Sequence, residues 1–246
     1  VYHYHENAFA KGAFYKALAT AMQKLAHEII CVSEYQASFL KREKGVIVAP
    51  NSLSNNFTNR LIPTPQTAFE RKQILMLGSL KLYKSPLEFI ELAQKLPQFT
   101  FELVVNDTQE NINGFMKEHK INICKNLTIY PQQNDVVPFY NQASLVLNLS
   151  DKKQVVETFG LTALEAMSAG LPVIVPTEGG IAEMVVDGEN GYKIDVQNLN
   201  QIAECIKTIL SDETLYMKLA QNALAYSKRF SEAKMVNCIE MILNRK

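Results

Sequence analysis

Tryptophan is absent from this chain of 246 residues, and histidine and cysteine occur only four times each. Cys31, Cys124, Cys205 and Cys238 are widely spaced, without a C-x-x-C pair or a histidine at metal-ligand spacing. Neither a metal site nor a disulfide framework is therefore indicated. We expect reduced cysteines in the core and a reducing compartment, the cytoplasm.

An excess of charge is also lacking, because 25 Lys and Arg residues balance 25 Asp and Glu residues. No basic run or aromatic–basic array indicates a nucleic-acid groove, so we expect no nucleic-acid partner. No apolar run approaches the ~18 residues that span a bilayer, and the first residues lack a signal-peptide pattern. The sequence indicates a soluble protein with a sizeable core; peripheral association with the inner face of the membrane through a local basic patch stays open.

The segment 157–180, ETFGLTALEAMSAGLPVIVPTEGG, carries the strongest functional signal. A tight turn over 158–160 leads into a helix over 161–169, whose free N–H groups and positive dipole end favour an anion such as phosphate. A short strand over 173–175 then runs to a diglycine loop. We expect the ligand above the carboxyl edge of a sheet.

Two glutamates flank this turn, Glu157 before the helix and Glu165 about one turn into it. A carboxylate can hold a vicinal diol of a sugar or a ribose through two hydroxyl donors. Glycosidases also place two carboxylates near a sugar, but they need the acids on opposite sides of the scissile bond. Because both glutamates bracket one helix start, a glycosidase is disfavoured.

The spacing from Glu157 to Glu165, with Phe159-Gly160-Leu161 between and Gly179-Gly180 after, resembles the E-x7-E signature of retaining GT-B glycosyltransferases of family 4, the group 1 glycosyl transferases. The resemblance implies sugar transfer from a nucleoside diphosphate sugar with retention of anomeric configuration. It implies no metal and no cofactor. The expected acceptor is a glycan, a lipid-linked precursor or a small molecule, in the synthesis of a cell-surface polysaccharide or glycolipid.

The resemblance also assigns residues. Glu157 orients the donor sugar, and Glu165 holds the ribose of the nucleotide. The backbone amides implied to hold the sugar and the diphosphate are those of Phe159, Gly160, Leu161 and Thr162.

A second predicted phosphate contact lies in the segment 78–85, GSLKLYKS, which follows a strand. The family pattern there is glycine–arginine followed by lysine–glycine. Gly78 and Lys84 match it, and Lys84 is implied to stabilise the leaving diphosphate. Ser79 replaces the arginine and Ser85 the second glycine, so charge neutralisation of the diphosphate is expected to be weaker.

Two further residues have alternative interpretations. The family places a histidine at the end of a strand beside the donor sugar, and His5 matches that position; a structural role, or half of a metal site with His3, stays open. Tyr130 lies where the family holds the nucleotide base, although an aromatic residue on a strand can equally belong to the core.

Strands and helices alternate along the chain at a pitch typical of doubly wound parallel sheets. The expected strands are 1–5, 28–32, 46–49, 73–77, 100–105, 127–130, 145–149 and 173–175. The expected helices are 12–27, 33–42, 86–95, 111–119, 135–142, 161–169, 198–210, 213–229 and 232–243.

The α/β alternation and the resemblance together predict a GT-B fold. Residues 1–51 would be the tail end of an N-terminal Rossmann-like acceptor domain, 52–72 a linker, 73–228 a complete C-terminal Rossmann-like donor domain, and 229–246 a closing helix that returns to the first domain. Because Val1 opens directly into a strand, we expect the first domain to be truncated at its N-terminus. A nucleotide-sugar binding module without transferase activity and a GT-B-type nucleotide-sugar epimerase stay open as other functions.

Overall fold

The computed structural model describes residues 1–4, 12–42 and 44–244, which form two parallel sheets. The smaller sheet has the strand order β1-β2-β3 and carries two connecting helices. Its elements are β1 (Tyr2–Tyr4), α1 (Ala13–Leu25), β2 (Ile29–Cys31), α2 (Glu34–Ala37) and β3 (Val46–Val48).

The larger sheet has six parallel strands in the order β6-β5-β4-β7-β8-β9. They are β4 (Gln73–Gly78), β5 (Thr100–Val105), β6 (Leu127–Tyr130), β7 (Leu145–Leu147), β8 (Val173–Val175) and β9 (Gly191–Lys193). The chain moves outward from β4 to β6 and then returns to the other side of β4 with β7. This reversal of strand order opens a crevice at the carboxyl ends of β4 and β7, where ligands of doubly wound sheets bind.

Helices cover both faces of the larger sheet, and its central strands are rich in buried apolar residues; Leu75, Leu103 and Leu145 have no exposed surface. The helices are α5 (Pro86–Lys95), α6 (Gln109–Glu118), α7 (Val137–Gln142), α8 (Leu161–Ser168), α9 (Gly180–Glu183), α10 (Leu199–Ser211) and α11 (Glu213–Ser227). Thr108 and Asp212 cap α6 and α11 by accepting hydrogen bonds from backbone amides of the first turn.

The segment 52–72, expected from its composition to be a linker, contains two helices, α3 (Asn55–Thr58) and α4 (Pro65–Arg71). Leu53, Leu61 and Ala68 are buried in the same hydrophobic cluster as the larger sheet. Because these helices have only four and seven residues, they show no sustained apolar period in the sequence.

The last helix, α12 (Glu232–Leu243), crosses back to the smaller sheet. Its Ile242 is buried in a cluster with Ile30 of β2 and Ala49 after β3. Among the described residues, no helix is both long and apolar enough to cross a membrane.

Candidate active site

A cavity of ≈ 430 Å³ lies in the crevice between the carboxyl ends of β4 and β7. This volume falls in the range of small-molecule sites. The predicted site residues that line it are Gly78, Lys84, Glu157, Phe159, Gly160, Leu161 and Thr162. Gly78 and Thr162, which are 84 positions apart in sequence, are thus brought to one cavity by the reversal of strand order.

The start of helix α8 forms one wall of this cavity. Gly160 precedes the helix with φ 92°, in the left-handed region, and a Cβ there would lie 2.4 Å from Ile181 Cγ1. Phe159 is buried, with its ring edge-on to Phe230, so its backbone rather than its ring serves the cavity. The first amides of a helix have no carbonyl partner within it. Here the residues that carry them, Leu161 and Thr162, line the cavity.

The loop of Gly179 and Gly180 packs against the turn that contains Glu157 and Thr158. Gly180 donates its amide to the carbonyl of Glu157 at 2.9 Å. A Cβ on Gly180 would lie 1.9 Å from the carbonyl oxygen of Thr158, a distance that no side chain can occupy. Glycine at this position therefore permits the close approach of two loops that fixes the backbone of the Glu157 turn.

Lys84 and Glu157 form an ion pair across the cavity, with side chains 26% and 20% exposed. Ser150 donates to the same carboxylate oxygen, Oε1 of Glu157, at 2.8 Å. Among the described residues that line the cavity, Lys84 and Glu157 are the charged ones, and they neutralise each other. A bound diphosphate would compete with Glu157 for the lysine.

The turn that carries Lys84 is a 3₁₀ helix over Leu82–Lys84. Ser85 follows it with φ 58° and ψ 47°, the left-handed conformation that explains why glycine suits this position. The amide of Asp151 donates to the carbonyl of Tyr83 at 2.8 Å. This bond ties the lysine turn to the loop that leads to Glu157.

Sequence reasoning left Asn148 unnoticed and Ser150 unassigned, although both lie at the site. Asn148 lines the cavity, accepts from the amide of Ser150 at 3.1 Å and donates to the Thr162 hydroxyl at 3.3 Å. Because the loop from Ser150 to Glu157 is longer than the family pattern, spacing alone did not connect the serine with the carboxylate. Their position directly after a buried strand was the available signal.

Glu165 does not line the cavity; it lies on α8, half-buried. The phenol of Tyr140 donates a hydrogen bond to its Oε2. Burial raises the pKa of Glu165, and the hydrogen bond from Tyr140 opposes that shift. Burial, with the charge of Glu165, raises the pKa of Tyr140 well above its usual value.

Two further predicted residues, Ser79 and Tyr130, do not line the cavity. Ser79 follows Gly78 but is absent from the lining. Tyr130 is partly buried, donates to Glu102 at 3.2 Å and packs edge-on against Phe139. His5 lies outside the described residues. The roles of all three stay predictions.

The smaller sheet touches the site turn through the end of β2. The Ser33 hydroxyl donates to the carbonyl of Thr158 at 2.7 Å. The Glu183 carboxylate accepts from the amides of Glu34 and Tyr35 at the start of α2. Asn51, after β3, also lines the cavity. The crevice therefore lies where the two sheets meet.

None of the four cysteines is among the residues that line the cavity. All four cysteines are free thiols. Burial raises the pKa of Cys31 to about 11 and that of Cys205 to about 12, so these thiols stay protonated at neutral pH. Within the ranges that the structure describes, no group of three His, Cys, Asp or Glu side chains could hold a metal ion.

The profile of the family "Glycosyl transferases group 1" matches residues 60–226, more than half of the chain. The chain belongs to this family. Like other group 1 glycosyl transferases, it has a GT-B fold. The family match covers the Rossmann-like domain of the larger sheet, and this domain includes Glu157, Glu165 and the start of α8.

Relatives and solved structures agree with this placement. An uncharacterized glycosyltransferase of Haemophilus influenzae is 25% identical over 76% of this chain and 53% of its own length. Poly(glycerol-phosphate) alpha-glucosyltransferase of Bacillus subtilis is 22% identical over 99% of this chain and 36% of its own length. A crystal structure of Anabaena HepE with UDP and glucose superposes with a TM-score of 0.84, at 22% identity, over 100% of this chain and 71% of that one. The chain thus spans about half or less of the curated relatives named here.

Proposed function

We propose that the protein transfers a sugar from a nucleoside diphosphate sugar to an acceptor, with retention of anomeric configuration. The observation that carries the proposal is the cavity at the switch point of the larger sheet, where Lys84, Glu157 and the amide end of α8 face one another. A cation and a helix start suit a diphosphate, and a carboxylate beside them suits the hydroxyls of a sugar.

The roles follow from chemistry and position. Lys84 and the amides of Gly160 to Thr162 stabilise the charge that develops on the leaving diphosphate. Glu157, released from Lys84 by the incoming diphosphate, accepts hydroxyls of the donor sugar and positions its anomeric carbon. Glu165 accepts the ribose hydroxyls. No protein nucleophile or metal ion takes part in the proposed reaction.

Retention and the nucleotide are supported by the relatives. An α-glucosyltransferase that uses an α-linked donor retains configuration, and the name of the Bacillus subtilis relative states an alpha product. The Anabaena structure holds UDP and glucose. We propose a uridine nucleotide as the first donor to test, and a glycan, lipid-linked or small-molecule acceptor.

The same proposal includes the division of the chain. Residues 73–228 hold the nucleotide sugar, 1–51 contribute to the acceptor side, 52–72 connect the two, and 229–246 return to the first part. A binding module without transferase activity would bind the donor but form no product. An epimerase would change the sugar without any acceptor present, so product analysis without acceptor separates these functions.

The function is tested by thermal unfolding with a panel of nucleoside diphosphate sugars. A ligand at 100 times its dissociation constant stabilises the folded state by about 2.7 kcal/mol. We expect at least one nucleotide sugar to raise the unfolding temperature above the value that its nucleoside diphosphate alone gives. A panel in which no nucleotide or nucleotide sugar shifts the transition would refute the proposal.

A further inference from the structure

We propose that Tyr140 is a positioning residue, which orients the carboxylate of Glu165 so that its second oxygen accepts the ribose hydroxyls of the donor. The inference rests on the proposed function, since it assigns a further residue to the nucleotide end of the same site.

The phenol of Tyr140 is held in place by packing. Tyr140 lies on α7 with only 1% of its surface exposed. The ring of Phe57, from α3, packs edge-on against it with the ring centroids 6.2 Å apart. Burial on this scale leaves the phenol little freedom to change rotamer, so its hydroxyl is a fixed donor towards α8.

Glu165 depends on this donor. Among the described residues, the Tyr140 hydroxyl is the one hydrogen-bond partner of its carboxylate, at Oε2. The hydrogen bond fixes the plane of the carboxylate and leaves Oε1 as an acceptor. A carboxylate oxygen that is held but not neutralised is a strong acceptor for a hydroxyl.

The partner of Glu165 is neutral, whereas that of Glu157 is a lysine. Burial and the hydrogen bond from Tyr140 are the causes that shift the pKa of Glu165. Among the described residues no cation pairs with the Glu165 carboxylate, so a ligand would have no cation to displace from it. Glu165 can therefore bind ribose directly, whereas Glu157 must first be released from Lys84 before it can bind the sugar.

The hydroxyl also favours the ionised form of the carboxylate. Burial raises the pKa of Glu165 and the hydrogen bond from Tyr140 lowers it, so removal of the hydroxyl moves this pKa further up. Ribose binding needs the ionised form. Affinity for nucleotide should then decline as pH falls through the pKa of Glu165, and the decline should begin at a higher pH without the hydroxyl.

Tyr140→Phe tests the inference, with Tyr216→Phe as the matched control. Tyr216 is equally buried, and its hydroxyl donates at 2.8 Å to a carbonyl, that of Ser144, away from the cavity. UDP is titrated into wild type and both variants by calorimetry, at mildly alkaline and mildly acidic pH. Both changes remove one buried hydroxyl hydrogen bond, so a general loss of packing would affect them alike.

We expect Tyr140→Phe to weaken UDP binding about tenfold near neutral pH, and by a larger factor at acidic pH. Tyr216→Phe should stay within about twofold of wild type at both pH values. Carbon-13 NMR titration of the Glu165 carboxyl should show a higher pKa in Tyr140→Phe than in wild type, a change that needs no nucleotide.

A double-mutant cycle separates positioning from structure. In a Glu165→Gln background, the Tyr140→Phe change should have no further effect on UDP affinity, because its effect acts through the carboxylate. Equal losses with and without the carboxylate, or unchanged UDP affinity in Tyr140→Phe, would overturn this inference and leave the proposed function standing. Failure of wild type to bind any nucleoside diphosphate would overturn both.

Discussion

The two halves of the molecule differ in how they are held together. The larger half (52–228) buries its six strands in one continuous cluster that includes Phe89, Phe101 and Tyr216. The smaller half (1–51, with α12) has small separate clusters on its sheet, and its helix α1 exposes Phe14 and Leu25 at 73% and 81%.

The candidate site follows this difference. Among the described residues that line its cavity, all but Asn51 belong to the larger half. Catalytic and binding groups need to be held within a fraction of an ångström, which requires rigid supporting elements. The more continuous core therefore carries the part of the site that we assign to the donor.

The largest expected effect on the larger half is that of Gly180→Ala, which should lower both its stability and its affinity for nucleotide. A Cβ there would lie 1.9 Å from the carbonyl of Thr158, in backbone that cannot shift without moving the Glu157 turn. We expect a loss of about 3 kcal/mol in unfolding free energy and loss of nucleotide binding, by denaturant titration and calorimetry. Gly114→Ala is the control: Gly114 lies within α6 with open space around it, so alanine should stabilise by up to about 1 kcal/mol. Wild-type stability in Gly180→Ala would contradict the geometry of the diglycine support.

Hydrogen exchange compares the halves directly. Amides of β2, in the smaller sheet, should exchange at least about tenfold faster than those of β5, because local opening there disrupts a smaller core. Nucleotide should increase protection in the larger half, above all near the start of α8. Uniform protection of both sheets would show that the difference in core continuity has no consequence for stability.

The contact between the halves is tested by Ser33→Ala. The Ser33 hydroxyl caps α2 and donates at 2.7 Å to Thr158 of the site turn, so its loss should cost about 1 to 2 kcal/mol. Ser54 caps α3 in the same way, because its hydroxyl accepts from the amide of Phe57. Ser54→Ala should cost only the cap. Identical effects of the two changes on nucleotide affinity would mean that the smaller half does not support the site turn.

The smallest expected effect is that of a chelator. Because Lys84 and helix amides are proposed to hold the diphosphate, an excess of EDTA should leave the UDP dissociation constant within about twofold. A strict requirement for a divalent cation would assign diphosphate binding to a metal instead.

Much of the fold could be predicted from the sequence where local signals mark the ends of an element. Helix α5 begins with Pro86 after Ser85, and strand β8 follows Pro172, so both were expected at their observed bounds. Strand β9 was missed, because Gly-Tyr-Lys has no apolar pattern and becomes a strand only by pairing with β8. Helix α2 ends at Ala37, five residues before its expected end.

Several residues of the candidate site could be predicted from the sequence, but the contacts between them could not. The motif at 157–162 indicated part of the cavity wall, since that signal is local, whereas Glu165 does not line the cavity. The ion pair of Lys84 with Glu157 and the hydrogen bond of Tyr140 with Glu165 join elements that only the sheet order brings together. No spacing in the sequence encodes those distances, and the assignment of separate roles to Lys84 and Glu157 did not anticipate that they neutralise each other.

The measurement that tests the central claim most directly is a calorimetric comparison of UDP and a UDP-sugar that stabilises the protein, titrated into wild type, Glu157→Gln and Glu165→Gln. Glu165→Gln should weaken both ligands by about 1.5 to 3 kcal/mol, because the ribose is common to them. Glu157→Gln should leave UDP affinity nearly intact and remove the added contribution of the sugar. Wild-type affinity for UDP in Glu165→Gln, with wild-type preference for the UDP-sugar in Glu157→Gln, would contradict the assignment of this cavity to the donor.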